Sequence, residues 1–208
     1  MERYQDYVIK DGKFIGKFEE MYQKFDNPWY QIEDAESSYS KHATLLTLKN
    51  FGIESVLEVG CGLGTFTNHM SRSFPHIRFK GIDVSETAIQ KAKEKYPHIE
   101  FIHDNFLNYL KNLSDNDEKM DAVLLAECMW YILEDLDEII SLLSEKYSEK
   151  YLLINQTFYK GKQKYGTEYF KDLDGMIKYL PFKMIRKMET ETADENDAID
   201  SHSIFVIE

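Results

Sequence analysis

Residues 56–67 read V-L-E-V-G-C-G-L-G-T-F-T, an apolar run followed by glycine at every second position. No other stretch constrains the fold as much. A tight turn after a buried strand needs glycine where a Cβ would clash or where φ is positive. It also opens a helix whose first N–H groups face a ligand. Gly60, Gly62 and Gly64 therefore predict a strand–loop–helix unit at the binding end of an α/β sheet. Taken alone, the loop suits a phosphate, a dinucleotide or an adenosyl sulfonium.

The chain around the loop alternates strand and helix signals. Short apolar strands are predicted at 55–59, 77–82, 99–103, 121–126 and 151–155, and helices at 65–74, 86–96, 135–147 and 173–180. Such alternation implies βαβ units and a mainly parallel sheet. Residues 121–126 are almost wholly apolar, which places them at the sheet centre. Residues 182–189 and 203–207 read as two strands with only an acidic loop, E-T-A-D-E-N-D-A-I-D, between them, so this pair is expected to be antiparallel. Residues 34–50 read as one helix, with Tyr39, Ala43, Leu46 and Asn50 on one face and Leu45 and Leu48 beside it. Residues 1–33 lack periodicity but carry Tyr4, Tyr7, Phe14, Phe18, Tyr22, Phe25, Trp29 and Tyr30. They are expected to form an aromatic lid over a single domain spanning 34–208.

Charge removes several partners. Thirty-seven acidic and 25 basic residues give a formal charge of −12, with no compensating basic cluster. Nucleic acid and an anionic membrane surface would both be repelled. Two cysteines in 208 residues make no disulfide framework and fit a reducing, cytoplasmic setting. The polar N-terminus is unlike a signal peptide, and no apolar run approaches a membrane span.

Two candidate cofactors share the rest of the evidence. The second strand ends in Gly81-Ile82-Asp83, and Asp83 stands where an acid would hold two ribose hydroxyls. A nicotinamide dinucleotide would require Gly or Ala where Thr65 stands, and its pyrophosphate would sit badly beside Glu58. S-adenosylmethionine carries no phosphate but has an ammonium and a sulfonium, which give an acid at the strand tip a purpose.

At this point the chain resembles the class I S-adenosylmethionine-dependent methyltransferases. Glu58 to Gly64 matches their E/D-x-G-x-G-x-G loop, and Asp83 their ribose-binding acid. His103-Asp104-Asn105-Phe106 matches the adenine segment, and Ala126-Glu127-Cys128-Met129-Trp130-Tyr131 the fourth-strand tip where donor and acceptor meet. The resemblance covers residues 35–208. It implies an α/β, Rossmann-like, doubly wound, seven-stranded sheet, mostly parallel with an antiparallel C-terminal strand. It also implies S-adenosyl-L-methionine as cofactor, with S-adenosyl-L-homocysteine as product. The donor site it implies comprises Glu58, Gly60, Cys61, Gly62, Asp83, Val84, Asp104, Asn105, Phe106 and Ala126, with Lys41 available for the methionine carboxylate. Asn27-Pro28-Trp29, Tyr39, Lys41 and the C-M-W-Y-I-L tip are similar to the nodulation-S-type branch, which N-methylates an amino sugar. The stretch from Tyr22 to Tyr30 also resembles capsule-locus enzymes linked to O-methyl phosphoramidate decoration.

Methyl transfer from a sulfonium is an in-line displacement that needs alignment and water exclusion. A base is needed only when the acceptor arrives protonated. Glu127, His103 and His42 are the candidate bases, each with an equally ordinary structural role open to it: a helix-start acid, a strand-tip hydrogen bond and a helix-face residue. Trp29, Tyr30, Trp130, Tyr131, Gln156 and Tyr159 are the candidate acceptor walls. No metal is expected, because Cys61 and Cys128 lack ligand spacing. Two other functions compete. The first is a nicotinamide-dependent oxidoreductase, which Thr65 and Glu58 oppose. The second is a donor-binding but non-catalytic partner subunit. The favoured expectation is methylation of a small polar acceptor by a monomer or homodimer. The acceptor oxygen would belong to a capsule-type phosphoramidate or sugar precursor, with amino-sugar N-methylation as the alternative.

Overall fold

A computed structural model describes residues 2–114, 116–191 and 197–208. Its frame follows from the short all-apolar strands. Val56 and Leu57 are wholly buried, and with Val59 they put strand β3 (Ser55–Val59) in the middle of a sheet. Before it come a two-stranded hairpin, β1 (Ile9–Lys10) and β2 (Lys13–Phe14), and three helices, α1 (Phe18–Lys24), α2 (Gln31–Ser37) and α3 (Tyr39–Asn50). After it follow α4 (Thr65–Ser73), β4 (Arg78–Asp83), α5 (Glu86–Lys95), β5 (Glu100–His103), α6 (Phe106–Asn112), β6 (Ala122–Ala126) and α7 (Leu136–Lys146). The chain ends with β7 (Tyr151–Tyr159), α8 (Leu173–Tyr179), β8 (Lys183–Glu191) and β9 (Ala198–Val206).

The seven-stranded sheet has the order β5-β4-β3-β6-β7-β9-β8. The first five strands are parallel; β9 runs antiparallel to both β7 and β8. One face packs Leu48, Phe66 and Met70 against Val56 and Leu124. The other packs Leu110, Leu136 and Leu143 against Val123 and Leu152. Helices on both faces make the sheet doubly wound, and the strand order reverses between β3 and β6. Ligands of such sheets bind outside the carboxyl ends at that reversal.

Several boundaries differ from the sequence expectation. The helix expected over 34–50 is two helices, broken at Ser38, whose Oγ accepts the Lys41 N–H. Its buried face is also not the expected one: Tyr39 and Leu46 are exposed, while Ser40, Thr44, Thr47 and Leu48 are buried. The reason is a polar partner surface. Thr47 Oγ1 meets His202 Nε2 at 2.8 Å, and Thr44 Oγ1 accepts from Asn155 Nδ2 at 2.9 Å. Helix α6, which the periodicity did not assign, is capped by Asn105, whose Oδ1 accepts the Leu107 N–H at 2.9 Å. Strand β8 runs to Glu191 and β9 starts at Ala198, so both ends of the expected acidic loop are strand. The middle of that loop, 192–196, lies outside the described residues.

Candidate active site

The glycine loop sits at the reversal point. Gly60 and Cys61 donate their N–H groups to Ile82 O, at 2.8 and 3.1 Å, which turns the chain over the end of β4. Gly60, Gly62 and Gly64 have φ values of 70°, 52° and 69°, a region that costs other residues strain. What crowds them is protein. A Cβ on Gly60 would stand 2.8 Å from Cys128 Cβ, and one on Gly64 would hit the Phe101 ring. A Cβ on Gly62 would collide with the Tyr22 hydroxyl and the Gln31 amide. The middle glycine is therefore the place where the N-terminal segment closes onto the loop.

Asp83, at the tip of β4, is buried beside this loop. Its Oδ2 accepts the Gly62 N–H and its Oδ1 the Ser85 N–H, both at 2.9 Å. Each oxygen keeps a lone pair, which is the capacity two neighbouring hydroxyls require. Burial raises its carboxyl, while the Ser85 and Gly62 N–H groups oppose that rise.

A cavity of about 760 Å³ opens from Asp83 across the ends of β3, β6 and β7. Its lining is acidic: Asp34, Glu58, Asp83, Glu127, Glu134, Asp135 and Asp200 face one cation, Lys41, among the described residues. Lys41 is buried, ion-paired with Asp34, and 5.3 Å from the centre of the Phe66 ring. Burial pushes the Glu58 carboxyl up to about 7, against the opposing pull of the Thr67 hydroxyl it accepts from and of Lys41. Glu127 is also pushed up to about 7, by burial and then by the Asp200 carboxylate. Its backbone is left-handed, at φ 60°, and its N–H donates to Asn155 O at 2.9 Å. Its carboxylate accepts from Thr157 N at 3.1 Å and Thr157 Oγ1 at 3.2 Å. A non-glycine residue held left-handed by such bonds is a common mark of a functional position.

Residues 2–37 cover the cavity. Phe14 stacks on Tyr131, with ring centres 6.2 Å apart, and Phe18 meets the same ring edge-on at 5.2 Å. Gln31 Oε1 accepts the Leu63 N–H at 3.0 Å, and its Nε2 donates to Tyr22 Oη at 2.7 Å. Glu19 fastens the other edge. Its carboxylate accepts from Ser85 Oγ at 2.7 Å, Thr87 N at 3.1 Å and Thr87 Oγ1 at 2.6 Å. Those bonds outweigh desolvation and hold its carboxyl down at about 2.

The expected site residues divide clearly. Glu58, Gly60, Cys61, Asp83, Val84, Asn105, Ala126 and Lys41 line the cavity, as do Glu127, Trp29, Trp130, Tyr131, Gln156 and Tyr159. Gly62, Asp104 and Phe106 do not line it: the Asp104 carboxylate accepts the Asn105 N–H, and Phe106 is in the core. Tyr30 is 66% exposed and does not line the cavity. Nor do His42 and His103, which are exposed. His42 sits on the outer face of α3, and His103 Nε2 lies 3.1 Å from Val84 O. Of the three candidate bases, Glu127 alone reaches the cavity. Trp130 packs on Phe158 and Phe170 and also borders the cavity. Sequence reasoning missed Glu19 and Gln31, which lie in an aperiodic stretch. It also missed Asp200, although the alternation A-I-D-S-H-S-I-F-V carries its strand back to Ala198. No group of three or more metal-ligating side chains occurs among the described residues.

The residues fit an adenosyl sulfonium amino acid. Asp83 suits a pair of ribose hydroxyls, Lys41 a carboxylate, and the Glu58 and Asp83 carboxyls a positively charged end. Two buried acceptors in the cavity wall, Gln156 Oε1 and Asp200 Oδ1, have no hydrogen-bond partner among the described residues.

Residues 56–146 match a family described as a methyltransferase domain. The putative methyltransferase 235L of Invertebrate iridescent virus 6 is 32% identical over 106 residues, which is 47% of this chain and 38% of that protein. Nodulation protein S of Rhizobium tropici is 29% identical over 113 residues, 51% of this chain and 44% of that one. The matched stretch thus spans less than half the length of these curated relatives. N-methyltransferase NodS from Bradyrhizobium japonicum, solved with S-adenosyl-L-homocysteine, superposes with a TM-score of 0.67 at 19% identity, covering 91% of this chain and 96% of that one. Magnesium protoporphyrin IX methyltransferase of Synechocystis, solved with bound donor, gives 0.56 at 18% identity over 96% and 89%. At these identities the structural likeness is one of fold.

Proposed function

We propose that this chain, whose residues 56–146 match a methyltransferase-domain family, moves a methyl group from S-adenosylmethionine to a small polar acceptor. The observation that carries this reading is Asp83: a buried carboxylate at the tip of β4, beside the glycine loop, with acceptor capacity left on both oxygens. When bound, the cofactor supplies an electrophilic methyl on a good leaving group. The chain's own work is then to orient, dehydrate and deprotonate.

Asp83 would hold the ribose, Asn105 and Val84 would border the adenine, and Lys41 would meet the carboxylate. The cover closed by Gln31 and Glu19 excludes water, and Phe14, Phe18 and Trp29 supply its apolar underside. Glu127 serves as the base. A carboxyl near 7 is half ionised at neutral pH and matched to taking a proton there. The bonds from Thr157 fix its position.

A base in the cavity supports an acceptor that arrives with its proton, and we take that acceptor to be a hydroxyl of a capsule-type sugar precursor. A phosphoramidate oxyanion needs no base and would meet an acidic wall, so it suits the lining less. The second reading, N-methylation of an amino sugar, is favoured by that same acidity.

Calorimetric titration with S-adenosylhomocysteine and with NADH, on the wild type and on Asp83→Ala, tests the donor. Micromolar binding of S-adenosylhomocysteine alone, lost by at least about 100-fold in the variant, is the expected result; two charge-assisted bonds are worth about 3–6 kcal/mol together. Preference for NADH, or no binding, refutes the reading. Turnover on paired hydroxyl and amine acceptors, read by product mass, then separates oxygen from nitrogen.

A further inference from the structure

The wall opposite Asp83 is built from β7 and β9, where Thr157 and Asp200 are register partners and Gln156 opposes Ser201. Hydrogen-bond accounting on this wall leaves two buried acceptors unpaired among the described residues. Gln156 is wholly buried; one N–H of its Nε2 goes to Thr157 O at 3.2 Å, and its Oε1 has no partner among the described residues. Asp200 Oδ2 accepts from Ser40 N at 2.9 Å and Ser38 Oγ at 3.3 Å, while Oδ1 has none. Asp200 also interacts electrostatically with Glu127, whose carboxylate borders the same cavity. Lys41, the one cation lining the cavity among the described residues, is engaged by Asp34. Buried acceptors without donors cost about 1–3 kcal/mol each, more when charged, and two carboxylates in one low-dielectric wall add their repulsion.

What relieves both terms is a ligand that brings N–H donors together with positive charge. A neutral hydroxyl supplies one donor and leaves the carboxylates unbalanced. We propose that Asp200 and Gln156 form an acceptor-recognition subsite for an organic cation with N–H donors, an ammonium or a guanidinium, carried by the molecule that is methylated. Asp200 takes the charge-assisted bond and Gln156 a second N–H of the same molecule. This deepens the proposed function and rests on it for reading the wall as the acceptor side.

Binding of probes to the intact protein tests it, measured by ligand-observed NMR with S-adenosylhomocysteine present and absent. Glucosamine against N-acetylglucosamine, and agmatine against its neutral acetylated analogue, separate charge from shape. The expected result is at least tenfold tighter binding of the cationic member of each pair. That preference should weaken as salt is raised and fall at least tenfold in Asp200→Asn, the loss of one charge-assisted bond. Asn keeps an oxygen for the Ser40 N–H. In Gln156→Leu, which removes an unpartnered acceptor, cation binding should fall about threefold to tenfold with no loss of thermal stability. Equal binding of charged and neutral members, or cation affinity unchanged in both variants, overturns the proposal. Absence of S-adenosylhomocysteine binding instead overturns the donor reading, and the probe comparison without it still decides the subsite.

Discussion

Replacing Glu58 by Gln should stabilise the ligand-free protein at high pH. The side chain is 3% exposed, and the amide keeps an oxygen for the Thr67 hydroxyl, so shape and hydrogen bond are preserved. Burial raises the native carboxyl from 4.5 to about 7. A carboxyl raised by folding favours the native state while protonated. Its contribution therefore declines as pH rises above 4.5 and is fully lost above about 7. At about 1.4 kcal/mol per pH unit, the ionised side chain costs about 3 kcal/mol at pH 8 and about 1 kcal/mol at pH 5. For a chain of this length that is about 6–12 °C in Tm at pH 8 and about 2–4 °C at pH 5. The wild-type curve alone does not isolate Glu58. Glu127 adds a slope of the same sign. His202, held down at about 4 by burial, adds the opposite one, because its stabilising neutral form is lost as pH falls from 6.5. The Tm difference between variant and wild type cancels both. Scanning calorimetry at the two pH values measures it. An equal difference at pH 5 and pH 8, or a variant less stable at pH 8, would refute the argument that burial of this carboxyl is uncompensated.

Two further outcomes follow from the site. Glu127→Gln should lower kcat/KM for a proton-bearing acceptor by about 10²–10⁴ and remove the ascending limb of the rate near pH 7, with binding of S-adenosylhomocysteine unchanged; a retained limb assigns the base elsewhere. Gly62→Ala places a methyl at φ 52° against Gln31 and Tyr22, so the cover should lift at a cost of about 1–3 kcal/mol. Trypsin cleavage after Lys17 and Lys24 should speed at least tenfold while the domain still melts cooperatively, and unaltered cleavage would show that the cover does not depend on that contact.

The sheet was legible because its strands are short, apolar and spaced by helical patterns, and because the glycine loop and Asp83 stand at fixed places along it. Helix α3 was misjudged for a chemical reason. Its buried face includes Thr44 and Thr47, satisfied by Asn155 and His202 from distant strands, and Ser40, whose N–H goes to Asp200, so hydrophobic periodicity pointed outward to Tyr39 and Leu46. The cover shows no period because its elements are seven residues or shorter and are held by single side chains. Nothing local marks Gln31 as the partner of the Leu63 N–H. His103 and His42 carried the right chemistry at the wrong rotation, since side-chain direction at a strand tip or helix face is set by packing. Asp200 was read as part of an acidic loop, and only its pairing with Thr157 brings it to the cavity.

Ser85 gives its N–H to Asp83 and its hydroxyl to Glu19. One residue thus ties the carboxylate read as the ribose holder to the segment that covers the cavity. A boundary drawn at residue 33 on sequence grounds is therefore a poor place to cut. A truncated chain would keep every strand of the seven-stranded sheet yet lose the partner that steadies the loop behind Asp83. Nor is the cover a module to be exchanged between relatives in order to change acceptor choice. A transplanted N-terminus would need a glutamate at the right turn, and its host a hydroxyl pair at positions 85 and 87, before any question of specificity arose.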